Sequence, residues 1–485
     1  MRALSQRRVL VLEAALGATL AFAWLGGKSL WFDEITTLIF TRSWASLRHY
    51  VPRIEPNMSL YYVLLHFWVK LGEHEIVVRG LSALFGAACV PLTHAVAARL
   101  FGSRAGWLAA LLLATNAFFL KYVQQARGYS LVLLLTLGAA YGLLLLLDGV
   151  RSWRVWCGTV LAAVLAPFAH LYAVLVLIAF GLAVLVARPR DALRVPVLWA
   201  GAVIGGALIG TLLLFMNADT GQVSWLAPPR VRDVAETFRL LAGGGRLLWL
   251  YALLGGVALC GAARKGAGRQ GAWPLVFVPA WFLFPIGAAF VYSVLVSPAV
   301  TARYLLVCVP PFAMLAGAGL ARIRPRMLRV AVLLLALGMG GREVLRHYRG
   351  PSKEQWREAT QYVLSDARPG DAMLCYLYVG QEAVEYYMRR LRAEPGLIEM
   401  VPFAAGPELC GAHPDKPDFQ KVAALYRHYE RVWLVLSHHT LAQMGRPPIA
   451  AALRQSLAAR YALSADRTFR GVHVLRYERR PAPEN

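Results

Sequence analysis

The feature that most limits what this chain can fold into is a succession of apolar runs, most of them about 15 to 25 residues long, from near its start to residue 340. In hydrocarbon every backbone N–H and C=O needs an internal partner, so runs of this kind cross a bilayer as helices. They fall near 9–27, 77–98, 105–120, 130–147, 155–169, 172–187, 195–216, 247–263, 273–294, 304–321 and 327–340, about eleven expected spans. Composition agrees. With 58% hydrophobic residues, 16% charged and a mean hydropathy of +0.50, the 485-residue chain is too apolar for one soluble globule.

Its 51 basic and 27 acidic residues give a formal charge of +24. In a soluble protein that excess would point to nucleic acid, but in a membrane protein charge is first read by topology. Laid on the expected spans, the basic clusters Arg7/Arg8, Arg99/Arg104, Arg151/Arg154, Arg188/Arg190/Arg194, Arg264/Lys265/Arg269 and Arg322/Arg324/Arg326 all fall on one side. By the positive-inside rule that side is the cytoplasm, and nucleic acid is not the expected partner. The loop 28–76 and everything beyond residue 340 are then exported, with the first apolar run read as a retained span because 23–27 carries no small-x-small cleavage pattern.

Beyond residue 341 the pattern changes. Residues 352–367 place Trp356, Ala359, Tyr362 and Val363 on one helical face, and a turn at 368–371 leads into the strand-like "AMLCYLY". Helix-like "GQEAVEYYMRRL" and "KVAALYRHYE" and strand-like "RVWLVLS" and "GVHVLRYER" follow. The expected organisation is a transmembrane domain over 1–341, including the loop 28–76 with interfacial helices, and a small α/β domain over 342–485.

Four cysteines, Cys89, Cys157, Cys260 and Cys308, lie in or beside spans, as small apolar side chains do. Cys375 and Cys410 fall in the exported tail, where an oxidising compartment permits a disulfide between them. The "GGGR" at 243–246 has neither the lysine nor the preceding strand of a phosphate-binding loop.

The acid pair Asp33-Glu34 follows the first span in "KSLWFDEITTL". Acids there can simply solvate a loop or cap a short helix, with Asp33 near the first turn. Yet Trp31, Phe32, Ile35, Leu38, Phe40, Trp44, Leu47 and Tyr50 recur at helical spacing around them, as in interfacial helices on a membrane surface. Carboxylates held at that level serve as general bases or hold a cation.

Four stretches, "LWFDEITTL", "SLYYVLLHFWVKLGEHEIVVRGLSALFG" (59–86), "YVQQARGYSL" (122–131) and "SPAVTARYLLVCVPPF" (297–312), occur in the order found in one family. Across about residues 9–321 the chain resembles the polytopic glycosyltransferases of the GT-C fold, specifically the bacterial group related to protein O-mannosyltransferases and lipid A aminoarabinose transferases. It departs from them at Asn57-Met58-Ser59, where relatives often read His-Pro-Pro, and at Gln125, where they often have Glu.

The resemblance implies an α-helical polytopic enzyme of the bacterial inner membrane, with its C-terminal domain periplasmic. Its donor would be a polyprenyl-phosphate-linked sugar. Transfer to a lipid, glycan or protein acceptor would invert the anomeric carbon. Asp33 is expected to accept the acceptor's hydroxyl proton, and Glu34 to position the acceptor or bind a divalent cation, the one cofactor left open. Arg127, Arg303 and Lys28 are candidates for the donor phosphate, because guanidinium suits bidentate phosphate binding. Tyr61, Tyr62, Tyr129, His170 and Tyr304 are candidates for the donor or acceptor pocket. The rival class is a lipid or solute transporter, which usually carries ionisable groups near the bilayer midplane; Glu13 and His94 are the main residues of that kind here.

Overall fold

The computed structural model describes residues 2–216, 226–263, 273–401, 419–438 and 446–480. They form two compact units. One, helical, is built from Met1–Leu25, Val51–Ala218 and Leu226–Gly350; the other joins Gly26–Tyr50 to the chain from Pro351 onward. The expected loop 28–76 is therefore divided at Tyr50, and its first part folds with the C-terminal residues. Its helix Phe32–Thr41 buries Ile35, Ile39 and Phe40, and the amides of Ser29, Leu30 and Phe32 at its entry are bonded by side chains of the C-terminal residues.

Among the described residues of the helical unit four helices are long and apolar enough to cross a membrane: Glu75–Phe101, Tyr129–Leu147, Trp273–Leu295 and Ala302–Arg322. The number rises to six if two bent pairs each form one span, Ser103–Ala114 with Ala117–Val123 and Val231–Leu241 with Gly245–Cys260. The eleven expected spans exceed this for physical reasons. Trp153–Ala169, Ala173–Ala187 and Val195–Thr211 are short apolar helices, while Arg2–Phe22 and Arg326–Arg349 carry several charges. The first bend, of 65°, is stabilised by Asn116, whose Oδ1 accepts the Phe119 N–H at 2.9 Å while its Nδ2 donates to the Leu241 carbonyl at 2.9 Å.

Close packing depends on small residues. A Cβ on Gly319 would sit 1.8 Å from the Leu254 carbonyl oxygen, so only glycine allows Val309–Arg322 to meet Gly245–Ala263 there. The carbonyls left over at the end of Arg2–Phe22 are also satisfied. Gln124 Nε2 donates to Ala21 and Ala23 at 3.0 and 2.8 Å, and Arg79 donates to Leu25 at 2.9 Å.

The second unit holds a five-stranded mixed sheet in the order β2-β1-β3-β5-β4, with β1 Asp371–Tyr376, β2 Ile398–Val401, β3 Arg431–Ser437, β4 Tyr461–Phe469 and β5 Val472–Arg479. Strands β2, β1 and β3 are parallel, and β5 runs antiparallel to both β3 and β4. Both faces of β1 and β3 are buried, which explains their nearly continuous apolar sequence. Helix Tyr378–Arg390 follows β1 directly, as the sequence pattern leads one to expect. A core of Leu374, Tyr376, Leu434, Leu436, Leu453 and Leu475 lies against the sheet, with Phe32 packed on it. Cys410 lies outside the described residues, and so does its pairing with Cys375.

Candidate functional site

Each unit carries one constellation of the expected residues. In the helical unit Arg127 is 4% exposed, at the turn before Tyr129–Leu147. Gly128 makes that turn possible, because a Cβ on it would lie 2.4 Å from the Ala169 carbonyl oxygen. This close approach brings the Arg-Gly-Tyr turn to the break after Trp153–Ala169, where His170 sits.

Arg127 faces a carboxylate that the sequence reading passed over. Its Nη1 donates to Glu55 Oε2 and to the Tyr62 hydroxyl, each at 2.9 Å, while its Nη2 pairs with Glu55 Oε1. The Tyr62 hydroxyl donates to the same carboxylate. One sequence signal could have found it: Glu55 is the single acid between Glu34 and Glu73 and directly precedes the Pro-Asn-Met-Ser-Leu-Tyr-Tyr segment. Tyr61 is buried beside this group, its hydroxyl 2.8 Å from Ser82 Oγ, and Ser82 in turn donates to the Arg127 carbonyl at 3.2 Å.

Around His170 the rings gather. Tyr129, Tyr172 and Tyr304 lie with centroids 5.7, 5.4 and 4.8 Å from the imidazole, and Arg303 stands over the Tyr304 ring at 5.4 Å. The Tyr172 N–H donates to His170 Nδ1 at 3.3 Å, so Nδ1 is the acceptor nitrogen and Nε2 carries the proton of the neutral ring. The positive fields of both Arg127 and Arg303 reach this imidazole. The result is a buried aromatic cluster within the fields of two guanidinium groups, with one protonated ring nitrogen. Tyr172 was not among the expected residues, although it stands two positions from His170.

The acid pair belongs to the other unit. Glu34 is fully buried, and its Oε2 accepts the Trp31 N–H at 3.3 Å, which makes it the capping acid of helix Phe32–Thr41. Asp33, half-buried in the same first turn, occupies the helix position where the backbone dipole favours negative charge. Lys28 is half-buried in the segment leading to that helix. Among the described residues no group of three or more His, Cys, Asp and Glu side chains is disposed to hold a metal ion.

Beneath the helix start lies a second acid absent from the sequence reading. Glu354 Oε2 accepts the Phe32 N–H at 2.8 Å and the Trp356 Nε1–H at 2.7 Å, and its Oε1 is 3.3 Å from His438 Nε2. Burial above all, with the negative charge of Asp33, pushes this carboxyl up to about 7; the two N–H donors and Lys353 pull the other way.

Of the expected residues, then, Arg127, Tyr61, Tyr62, Tyr129, His170, Arg303 and Tyr304 share the helical unit, while Asp33, Glu34 and Lys28 share the α/β unit. This fold, helices followed by a small α/β unit, is the GT-C fold of membrane glycosyltransferases. Residues 56–215 match the family model described as dolichyl-phosphate-mannose-protein mannosyltransferase. Among solved structures, ArnT from Cupriavidus metallidurans bound to undecaprenyl phosphate is similar over 96% of this chain and 97% of its own, at 15% identity and a TM-score of 0.64. The archaeal oligosaccharyltransferase AglB from Archaeoglobus fulgidus, in complex with an inhibitory peptide and a dolichol-phosphate, is similar over 95% of this chain and 73% of its own, at 11% identity and a TM-score of 0.57. No curated protein sequence matches the chain.

Proposed function

We propose that this chain is an inverting glycosyltransferase that moves a sugar from a polyprenyl-phosphate donor to an acceptor on the periplasmic side of a bacterial inner membrane. The observation that carries this reading is the cluster at His170, where aromatic rings pack around one neutral N–H donor within the fields of two guanidinium groups. Aromatic faces suit a sugar ring and cations suit a phosphate. The solved structures that share the fold support the donor class, since one is bound to undecaprenyl phosphate and the other to a dolichol-phosphate.

In this reading the acceptor hydroxyl attacks the anomeric carbon as Asp33 takes its proton. The bond from that carbon to the phosphate oxygen breaks, and polyprenyl phosphate leaves with the electron pair. Charge grows on the leaving phosphate, so a cation placed there stabilises the transition state more than the ground state. Arg303 is the direct phosphate ligand of the scheme. Arg127, already joined to Glu55 and Tyr62, binds phosphate only by sharing those bonds, and otherwise contributes its field and a rigid wall. His170 Nε2–H donates to a sugar or phosphate oxygen, Tyr61, Tyr62, Tyr129 and Tyr304 line the pocket, and Lys28 adds charge on the acid's side. Glu34, spent on its own helix start, holds the turn that carries Asp33.

The deciding experiment compares, by mass spectrometry, the envelope lipids, glycans and proteins of cells with the chain, without it and with Asp33→Asn. A sugar-modified species should appear only with the wild-type chain, and Asp33→Asn, inserted at normal abundance, should cut its formation by about a hundredfold or more. Movement of labelled lipid across liposomes by the purified chain, with no new glycosidic bond in any fraction, would establish the transporter reading instead.

A further inference from the structure

Four successive backbone amides precede Asp33, and each is taken by a different side-chain oxygen. Ser29 N–H donates to Ser352 Oγ at 3.0 Å, Leu30 N–H to the Tyr387 hydroxyl at 2.7 Å, Trp31 N–H to Glu34 at 3.3 Å and Phe32 N–H to Glu354 at 2.8 Å. Three of the four acceptors lie more than three hundred residues away in sequence, in the C-terminal part of the same unit. The amides at a helix start have no partner within the helix, and water ordinarily serves them well enough. Here they are held by a set of fixed acceptors, two of which, Glu34 and Glu354, are buried carboxyls. Burying an acid is costly, and that cost brings conformational definition where all of its bonds are made.

The far end of the helix is tied to the same unit. Arg42, next after Thr41, pairs with the buried Glu382, which also accepts the Tyr378 hydroxyl. Tyr378 and His438 stand just beyond the carboxyl ends of the neighbouring parallel strands β1 and β3. Their approach includes two non-glycine residues in the left-handed region, Leu377 at φ 77° and His438 at φ 50°. Such strain persists only where surrounding contacts over-determine the backbone. The His438 ring packs on Phe32 at 4.7 Å while its Nε2 faces Glu354. In open α/β sheets the crevice beyond the carboxyl ends of the strands commonly receives a ligand. In this unit that place is occupied by the segment that carries Asp33.

We propose that the C-terminal α/β unit is a positioning device for Asp33, in which Glu354 and Tyr387 fix the entry of helix Phe32–Thr41 and the Arg42–Glu382 pair fixes its exit. Glu354 and Tyr387 are positioning residues that act through the backbone amides of Phe32 and Leu30 and touch neither donor nor acceptor. The inference rests on the reading of Asp33 as the base, and it gives the C-terminal residues a role in the transfer.

The test uses the full-length chain in nanodiscs with Glu354→Leu, Glu354→Gln and Tyr387→Phe. Tyr387→Phe removes one oxygen with little change of shape, and so answers for Glu354→Leu should that variant fold poorly. Hydrogen exchange should quicken about tenfold or more at Leu30 in Tyr387→Phe and at Phe32 in Glu354→Leu, without global unfolding. The envelope species made by the wild-type chain should then form about ten- to a hundredfold more slowly, the scale of a misplaced catalytic group. Binding of undecaprenyl phosphate, the donor-side probe, should change by less than about threefold, and Glu354→Gln, which keeps a neutral acceptor, should restore the rate to within about threefold.

Loss of product in proportion to lost probe binding or lost folded protein would mark Glu354 and Tyr387 as merely structural and overturn the proposal. So would quickened exchange at Leu30 and Phe32 with full product formation, provided Asp33→Asn is inactive. An active Asp33→Asn chain would instead overturn the base assignment, and the positioning role with it, while leaving the exchange result as a fact of the fold.

Discussion

Arg127 and Glu55, 72 residues apart, form a two-pronged ion pair inside the helical unit, with the Tyr62 hydroxyl bonded to both. The guanidinium is 4% exposed, so it is paired where water cannot substitute for the partner. A buried pair of this kind adds little net stability over apolar residues of the same shape, yet removing one member leaves the other charged and unmatched. Glu55→Gln or Arg127→Met alone should therefore destabilise the helical unit by about 3 to 5 kcal/mol, and the double variant by clearly less than the sum of the two. Thermal unfolding of the three variants in one detergent measures the coupling. Additive losses would show the two residues to be energetically independent.

Arg303 stands in a different setting. It is half-buried, stacks over Tyr304, and sends its field onto His170. Arg303→Met should weaken undecaprenyl phosphate binding by roughly 2 to 5 kcal/mol, the cost of leaving a partly desolvated anion without its cation. Arg303→Lys should recover more of the binding than of the rate, since a point charge cannot reproduce the bidentate fork as charge builds in the transition state. Binding by calorimetry and product formation by mass spectrometry separate the two effects. Equal recovery of both would remove the transition-state role.

What the sequence made legible follows from how local each signal was. Strand β3, "RVWLVLS", is readable because both its faces are buried and its apolar run is unbroken. Strand β4 is not, because it is mostly exposed and its few apolar residues follow no clear alternation. The membrane helices are visible as a class, but a bend such as that at Asn116 depends on a carbonyl 125 residues away. The same holds at the candidate sites. Arg127 and the acid pair stand out within short motifs, whereas Glu55 and Glu354 acquire meaning only through partners at 72 and 322 residues' separation. That Glu34, rather than Asp33, caps the helix is likewise a matter of side-chain direction.

Topology can be checked with exposed positions that the fold supplies. Ala45 and Ala462 are exposed in the α/β unit, and Ser103 is exposed beside Arg104 in the helical unit. With all six native cysteines replaced, Ala45→Cys and Ala462→Cys should react with an impermeant reagent added to intact cells, and Ser103→Cys should react only after the membrane is opened. Ser352 would be a poor reporter, since it is buried against Ser29. The reverse pattern would place the acid pair in the cytoplasm and contradict the proposed donor side.

Glu354 makes the α/β unit sensitive to pH in a defined direction. Its carboxyl rises from an ordinary value of 4.5 to about 7, chiefly through burial and secondly through the charge of Asp33, with Lys353 and two N–H donors opposing. His438 Nε2, 3.3 Å from Oε1, is the other titratable group facing it. A carboxyl that is a weaker acid in the folded state stabilises that state while it is protonated. The contribution is complete below about pH 4.5 and fades as pH rises through about 7, where the buried group is forced to ionise. Protection of the Phe32 amide, followed by hydrogen exchange corrected for the intrinsic pH dependence of the chemistry, should accordingly fall between about pH 5 and pH 8. Glu354→Gln cannot ionise and should flatten that profile, while Asp33→Asn, which removes the neighbouring negative charge, should shift it to lower pH. A profile unchanged by Glu354→Gln would assign the titration to His438 or to a more distant group.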